Sequence, residues 1–152
     1  DLLQHSVKRA QRNQQQLAVL FLELDNFNSV NDSHCHDVGD QLLVTLADTL
    51  QSCLRGSDIL CRWGGDEFVI GLLESSGEAS AQVVAKKLCN KILENISVSD
   101  KKFLVSVSIG VAMYPDHSAE PDLLIRNADM AMYQAKRLGK NRCALFVPDL
   151  AN

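Results

Sequence analysis

Apolar residues along this chain follow two spacings, which together predict a mixed α/β fold. The segment that begins at Leu17 is a nearly continuous apolar run, as expected of a strand buried on both faces. Residues 59–61 and 68–70 are apolar on either side of a Gly-Gly turn, so we expect a hairpin in which the glycines allow a positive φ. Alternating positions in 105–111 predict a long strand, and 142–147 predict a short last strand.

Helical spacing accounts for the remaining segments. A polar helical segment covers 1–16, and apolar positions predict amphipathic helices at about 38–54, 78–95 and 123–135, the last ended by Gly139. The element order β-α-α-β-β-α-β-α-β is typical of an α/β (α+β), ferredoxin-like palm. We expect a largely antiparallel central sheet flanked by helices, with the helices on one side.

Composition narrows the class of protein. The 152 residues are 46% hydrophobic and 22% charged with a net charge of −4, which fits one compact domain and argues against a general nucleic-acid binder. The five cysteines are widely spaced and odd in number, as in a reduced cytoplasmic protein. No apolar run reaches the roughly 18 residues of a membrane span. We therefore expect a cytoplasmic domain that binds no nucleic-acid polymer.

The turn between the two hairpin strands carries the first candidate chemistry. Gly64 and Gly65 leave room for backbone N–H groups to approach a phosphate. The neighbouring Asp66 and Glu67 could hold the divalent cation that a nucleotide brings. The alternative is a surface hairpin that carries acidic residues without a ligand.

Two further acids interrupt the first apolar run. Glu23 and Asp25 are two residues apart, so their side chains point to the same face of the strand. A buried carboxylate is costly unless it is paired, hydrogen-bonded or bound to metal. The partner is therefore either a bound cation or an Arg or Lys from elsewhere in the chain.

Six motifs follow one another in a fixed order along the chain. They are ELDNFNSVND at 23–32, HDVGD at 36–40, RGSD at 55–58, GGDEF at 64–68, SIG at 108–110 and AKRLGKN at 135–141. With these motifs the chain resembles the GGDEF domain, the diguanylate cyclase family, over about residues 2–147. That family condenses two GTP into cyclic di-GMP and pyrophosphate.

The resemblance implies a role for each site residue. Glu23, the backbone carbonyl of Leu24 and Asp66 would bind Mg²⁺ or Mn²⁺, and Glu67 would help to activate the attacking ribose 3′-hydroxyl. The catalytic residues would accordingly be Asp66, Glu67 and Glu23. Asn31 and Asp40 would read guanine, and the lysines would approach the phosphates. The full set of implied GTP-binding residues is Phe27, Asn28, Asn31, Asp40, Gly64, Gly65, Lys136 and Lys140.

Ordinary structural roles compete for several of these residues. Glu67 could be a solvated acid at the rim of the sheet, and Asn31 could be a turn residue. Asp40 could serve the first turn of a helix. Lys136 and Lys140 lie at the end of a helix, where cations also interact favourably with the helix dipole.

Two positions depart from the family pattern. Glu23 stands where the family has Asp, and Mg²⁺, which demands nearly octahedral geometry, tolerates the longer arm poorly. Asn28 stands where the family commonly has Lys, so one positive charge near the phosphates is lost. Two hypotheses remain. The chain is an active cyclase, or it is an impaired domain that binds GTP or cyclic di-GMP and regulates an attached domain.

A second ligand site is implied by Arg55 and Asp58. They reproduce the family's Arg-x-x-Asp inhibitory motif five residues before the Gly-Gly turn, and Lys87 could supply a further cation. Arg can bind a phosphate or a guanine edge with two hydrogen bonds, so the pair suits cyclic di-GMP. The alternative is an ordinary Arg–Asp surface pair in a helix-to-strand loop.

The resemblance also implies how this domain is organised within a longer protein. We interpret 1–152 as a single GGDEF-like domain, with an N-terminal helix at 1–16 and the start of a linker at 148–152, excised from a longer protein. Each such domain binds one GTP, so catalysis implies a two-fold homodimer. The full-length chain is expected to add a sensory domain and an EAL phosphodiesterase domain, and any membrane anchor would lie outside this fragment.

Overall fold

The computed structural model describes residues 2–27, 36–94, 96–98 and 101–148. Within these ranges, the helices and strands form a mixed α/β fold. The elements are α1 (Leu2–Asn13), β1 (Gln16–Leu24), α2 (His36–Ser52), β2 (Ile59–Gly64), β3 (Glu67–Ser75), α3 (Glu78–Glu94), β4 (Ile96–Val98), β5 (Lys101–Phe103), β6 (Val107–Tyr114), α4 (Pro121–Arg137) and β7 (Arg142–Leu145).

The central sheet confirms the largely antiparallel architecture. Its strand order is β2-β3-β1-β6-β7, and all neighbours are antiparallel except β6 and β7, which are parallel. The small antiparallel pair β4–β5 was not predicted, because three residues per strand are too few to show an alternating pattern. The predicted order also has two consecutive helices after the first strand; residues 28–35, between β1 and α2, lie outside the described residues.

Helices cover both faces of the sheet, so the expectation that they lie on one side is wrong. Successive side chains of a strand point to opposite faces. Leu20 and Leu22 pack with α2 and α3, whereas Val19 and Phe21 pack with α1 and α4. Burial on both faces explains why β1 is almost continuously apolar.

Helix α4 lies very close to β6 because of Gly110. A Cβ at this position would overlap the carbonyl oxygen of Ala128 and the amide nitrogen of Met132. Glycine is therefore required where the helix backbone crosses the strand. This approach brings the C-terminal end of α4 against the sheet.

The end of α4 is a Schellman turn, which confirms Gly139 as the helix-ending residue. Gly139 has φ +130°. Its N–H donates to the carbonyl oxygen of Lys136 at 3.3 Å, and the Lys140 N–H donates to the carbonyl oxygen of Ala135 at 3.1 Å. The turn fixes the direction in which the chain leaves the helix. None of the helices in the described part of the chain combines the length and hydrophobicity of a membrane span.

Candidate functional site

Three carboxylates converge where β1 ends beside the β2–β3 turn. In the antiparallel register, Glu23 lies opposite Glu67, and the Leu24 N–H donates to the carbonyl oxygen of Asp66 at 3.2 Å. One carboxylate oxygen from each of Glu23, Asp66 and Glu67 lies within 4.8 Å of the others. We call these three side chains the acidic cluster.

The acidic cluster is electrostatically unfavourable without a cation. Burial, followed by the charge of Glu23, raises the pKa of Asp66, and the same two causes lead in raising the pKa of Glu67. Carboxylate oxygens are the ligands that Mg²⁺ and Mn²⁺ prefer in proteins. The cluster therefore has the composition and spacing of a divalent-cation site.

The glycine turn beside the acidic cluster faces open space. A Cβ built on Gly64 or on Gly65 would meet no atom within 4 Å. The Arg62 guanidinium donates to the Gly65 carbonyl at 2.7 and 3.0 Å and so fixes the turn from the other side. Room for a phosphate next to the backbone is thus present.

The expected positive φ at these glycines is wrong. Neither Gly64 nor Gly65 adopts a φ between +20° and +160°. The register shifts between Arg62 and Gly64, and this irregularity accompanies the chain reversal. Neither left-handed backbone nor a close neighbour therefore requires glycine at these two positions, and the space beside the turn is open.

Lys136 supplies the cation that the sequence left open as a partner for Glu23 and Asp25. Its Nζ lies 2.8 Å from Glu23 Oε1 and 3.3 Å from Asp25 Oδ1. Burial alone would lower the pKa of Lys136, but the hydrogen bond and charge of Glu23 and the charge of Asp25 outweigh it and raise that pKa. Lys136 is therefore held as an ammonium at the edge of the acidic cluster.

Asp25 is the most completely satisfied carboxylate near the site, and its hydrogen-bond partners were not identified from the sequence. It accepts hydrogen bonds from Ser106 Oγ at 2.6 Å, Ser108 Oγ at 2.7 Å and the Asn141 N–H at 3.1 Å. Burial acts to raise its pKa, but these hydrogen bonds and Lys136 together lower it. Serines at two alternate positions beside an otherwise apolar strand were the available signal.

The structure describes three further residues that were predicted for GTP binding, namely Lys140, Phe27 and Asp40. Lys140 follows the end of α4 in left-handed backbone (φ +64°), so it does not lie on the helix as its spacing from Lys136 suggested. Its Nζ donates to Asn26 Oδ1 at 2.8 Å. Phe27 is half-buried against the core, and Asp40 is exposed near the start of α2. Asn28 and Asn31 lie outside the described residues.

Asp129 on α4 is a further acid that the sequence reading missed. Burial and then the charge of Glu23 raise its pKa, and its own charge in turn raises the pKa of Glu67. It precedes Lys136 by seven residues, or two helical turns, so helical spacing could have placed it on the same face. The acidic character of the site therefore extends beyond the three clustered carboxylates.

Arg55 and Asp58 form a tightly bonded loop away from the acidic cluster. Asp58 accepts hydrogen bonds from the Arg55 N–H at 2.9 Å and from the Leu73 N–H at 3.3 Å. The Arg55 guanidinium contacts the same carboxylate at 3.3 and 3.4 Å and donates to the Leu73 carbonyl at 2.6 Å.

The three residues predicted for an inhibitory site meet at one cleft. Arg55, Asp58 and Lys87 line a surface cleft of about 290 Å³ together with Ser75 and Ser80. The Arg55 side chain is 60% exposed, whereas that of Asp58 is 3% exposed. The Arg55 side chain is thus open to solvent, whereas the Asp58 carboxylate is buried and holds the loop through its hydrogen bonds.

Comparison with known proteins agrees with the motifs. The chain matches the family model described as "Diguanylate cyclase, GGDEF domain" over residues 1–142. It is 39% identical over 146 residues to the bifunctional diguanylate cyclase/cyclic di-GMP phosphodiesterase MucR of Pseudomonas aeruginosa, which is 96% of this chain and 21% of MucR. It is 37% identical over 130 residues to the cyclic di-GMP phosphodiesterase NbdA of that species, which is 86% of this chain and 16% of NbdA.

A third relative is similar in sequence and in structure. The diguanylate cyclase TpbB of Pseudomonas aeruginosa is 39% identical over 136 residues, which is 89% of this chain and 31% of TpbB. The crystal structure of its GGDEF domain superposes with a TM-score of 0.92 at 37% identity, covering 95% of this chain and 91% of that chain. The chain spans less than a third of the length of these curated relatives.

Proposed function

The chain belongs to the GGDEF domain family of diguanylate cyclases, and we propose that it condenses two GTP into cyclic di-GMP and pyrophosphate in a metal-dependent reaction. The observation that carries this proposal is the convergence of Glu23, Asp66 and Glu67 beside the open Gly64-Gly65 turn. Phosphoryl transfer depends mainly on positioning and on neutralising charge, and this arrangement suits both needs.

Glu23, Asp66 and the carbonyl of Leu24 are the proposed ligands of Mg²⁺ or Mn²⁺. Burial and then the charge of Glu23 raise the pKa values of Asp66 and Glu67, which supports this assignment because a bound cation would offset both effects. When bound, the metal would offset the negative charge of the triphosphate. Glu23 carries one methylene more than the family's Asp, which favours Mn²⁺ over Mg²⁺ as the better-tolerated ion.

The remaining residues act on the nucleotide itself. Backbone N–H groups at Gly64 and Gly65 and the ammonium groups of Lys136 and Lys140 are proposed to contact the phosphates. Asn31 and Asp40 are proposed to read the guanine edge. Phe27 and Asn28 belong to the same proposed site through their motif.

Glu67 is the proposed base. It would take the proton of the 3′-hydroxyl of one GTP as that oxygen bonds to the α-phosphate of the other, and pyrophosphate would leave. The place of Glu67 opposite Glu23 in the strand register and within the acidic cluster supports this role, because it sets the carboxylate beside the proposed metal site. Two such steps close the cyclic dinucleotide.

Bond formation between two GTP molecules requires two sites to face each other. We propose a two-fold homodimer for catalysis, since an isologous interface brings identical sites together. We also propose that the domain works in the cytoplasm within a longer chain that carries a sensory domain and an EAL domain. MucR, which is named for both activities, supports the presence of such a partner domain.

Feedback control by product is the proposed role of the second cleft. Arg55 and Lys87 would bind the phosphates or guanine edges of cyclic di-GMP, and Asp58 would hold Arg55 in place. The exposure of the Arg55 side chain supports this division of roles, because its guanidinium can still meet a ligand.

A second candidate function is a regulatory module that binds nucleotide without turning it over. The observation that favours it is the 2.8 Å ion pair between Glu23 and Lys136, which occupies a proposed metal ligand. The relative NbdA, which is named as a phosphodiesterase, is consistent with a GGDEF domain in a regulatory role.

One assay separates the two candidates. The chain would be fused to a parallel coiled coil that forces dimerisation and incubated with GTP and either Mg²⁺ or Mn²⁺, and the products would be separated by chromatography. The cyclase proposal predicts cyclic di-GMP and pyrophosphate. Binding of GTP to the forced dimer with no product under either metal would favour the regulatory module instead.

A further inference from the structure

Lys136 lies at the place where the acidic cluster needs a cation. Its ammonium contacts Glu23 at 2.8 Å and Asp25 at 3.3 Å, and its side chain is 17% exposed against 26% for Glu23 and 1% for Asp25. The ion pair is therefore partly shielded from solvent. Such a pair is stronger than one on an open surface.

The two carboxylates that share this lysine differ in what else they bind. Asp25 keeps three other donors, from Ser106, Ser108 and the Asn141 backbone. In the described part of the chain, Lys136 is the one group that pairs with the Glu23 carboxylate. Loss of Lys136 would thus leave Asp25 hydrogen-bonded but would leave Glu23 without a counter-charge.

We propose that Lys136 is an internal counter-cation of Glu23, and that a divalent cation entering the site must displace the ammonium from Glu23 while Asp25 retains it. This inference rests on the proposed function, since it takes Glu23 as a ligand of the metal. Two cations on one carboxylate repel each other, so the lysine and the metal compete for Glu23.

The position of Lys136 suits an exchange of partners. The Schellman turn that follows α4 directs the Asn141 N–H to Asp25, so the turn and the lysine are anchored on the same carboxylate. Once released from Glu23, the ammonium stays at the edge of the cluster. A triphosphate gives it a new anionic partner, so metal and nucleotide should bind more tightly together than separately.

A metal titration without nucleotide tests the competition. Free Mn²⁺ would be followed by electron paramagnetic resonance in wild-type protein, in Lys136→Met and in Lys140→Met. The control removes the same charge four residues further along the chain, beyond the end of α4, where Lys140 contacts the neutral Asn26 side chain. Lys136→Met is expected to bind Mn²⁺ about three- to tenfold more tightly than wild type, and Lys140→Met to stay within about twofold.

The outcomes separate this inference from the proposed function. Equal or weaker Mn²⁺ binding by a folded Lys136→Met overturns the competition but leaves the metal site in place. Absence of Mn²⁺ binding in wild type and in both variants overturns the metal site and the competition together. Binding by Lys136→Met alone supports the competition in its strongest form.

A measurement on wild type covers the case in which Lys136→Met fails to fold. The ε-methylene resonances of the lysines would be followed by NMR as Mg²⁺ is added. The competition predicts a clear shift for Lys136 and a smaller one for Lys140. A Lys136 signal that stays unchanged while Mg²⁺ saturates the protein overturns the inference.

Discussion

The acidic cluster and the Arg55–Asp58 loop both place carboxylates at a turn, but they balance charge in opposite ways. The buried Asp58 carboxylate is satisfied by the Arg55 guanidinium and by two backbone N–H groups. In the acidic cluster, three carboxylates lie together, and within the described residues Lys136 alone forms an ion pair with them. A satisfied carboxylate stabilises the fold, whereas a crowded one costs free energy that a bound cation can recover.

The substitution with the largest expected effect removes one carboxylate of the acidic cluster. Asp66→Asn removes a proposed metal ligand while keeping the size of the side chain, so formation of cyclic di-GMP by the forced dimer should fall at least about 100-fold. The measurement is product formation from GTP, with circular dichroism as a check of folding. Activity within tenfold of wild type would show that Asp66 is not a metal ligand.

The next largest effect is a loss of stability, and it is expected when the hydrogen-bonded carboxylate of Asp58 is removed. Asp58→Ala leaves the Leu73 N–H and the Arg55 N–H without their acceptor, and the expected loss is about 2–3 kcal/mol in the free energy of unfolding. Urea denaturation followed by circular dichroism measures this loss. A loss below about 0.5 kcal/mol would mean that Asp58 faces a ligand rather than holding the loop.

Arg55 separates the ligand role of the loop from its structural role. Arg55→Ala removes an exposed guanidinium, so cyclic di-GMP binding at the cleft should weaken at least about tenfold, while stability falls by less than about 1 kcal/mol. Calorimetric titration with cyclic di-GMP measures the first effect. GTP affinity serves as the control and should not change. If wild-type protein binds no cyclic di-GMP, the cleft is not an inhibitory site.

Glu23 offers a smaller, graded change within the acidic cluster. Glu23→Asp shortens the arm to the family's length and also draws the carboxylate back from Lys136. Turnover with Mg²⁺ is therefore expected to rise about two- to fivefold, and wild type should work better with Mn²⁺ than with Mg²⁺. Steady-state rates with each metal test this. A fall in turnover would show that the surrounding site has adapted to the longer side chain.

The smallest effect concerns pH and stability in the absence of metal. Because the pKa of Glu67 is raised on folding, its contribution to stability is present below the unfolded pKa and is lost as the pH rises through the folded pKa. Glu67→Gln should therefore be more stable than wild type at neutral pH, by up to about 1 kcal/mol. The gain should vanish below about pH 4.

Urea denaturation across this pH range, with and without Mg²⁺, measures the difference. Added Mg²⁺ should reduce the gain, because the cation relieves the repulsion in wild type. A Glu67→Gln variant that is less stable than wild type at neutral pH would contradict the view that the cluster is crowded.

The sheet was predictable because its signals are local, whereas the partners of its acids were not. The apolar run of β1 and the hairpin around Gly64 are encoded by neighbouring residues. Helices on both faces were missed, because a run that is apolar on both faces does not say what covers it.

The charge network of the site shows the same limit. The spacing of Glu23 and Asp25 correctly indicated a shared face and an unknown cationic partner. That partner, Lys136, is 111 residues from Asp25, and close packing at Gly110 brings its helix against the sheet. A sequence pattern can indicate that a buried carboxylate needs a counter-charge, but the residue that supplies the charge is identified only in the folded chain.

The most direct test of the central claim is a calorimetric titration of GTP into wild-type protein and into Asp66→Asn, each with Mg²⁺ or with a chelator. If the acidic cluster is a cation site that serves nucleotide binding, wild type will bind GTP with Mg²⁺ and lose at least about tenfold in affinity with the chelator. Asp66→Asn will show the weaker affinity under both conditions. Equal affinity for GTP in all four titrations would contradict the account.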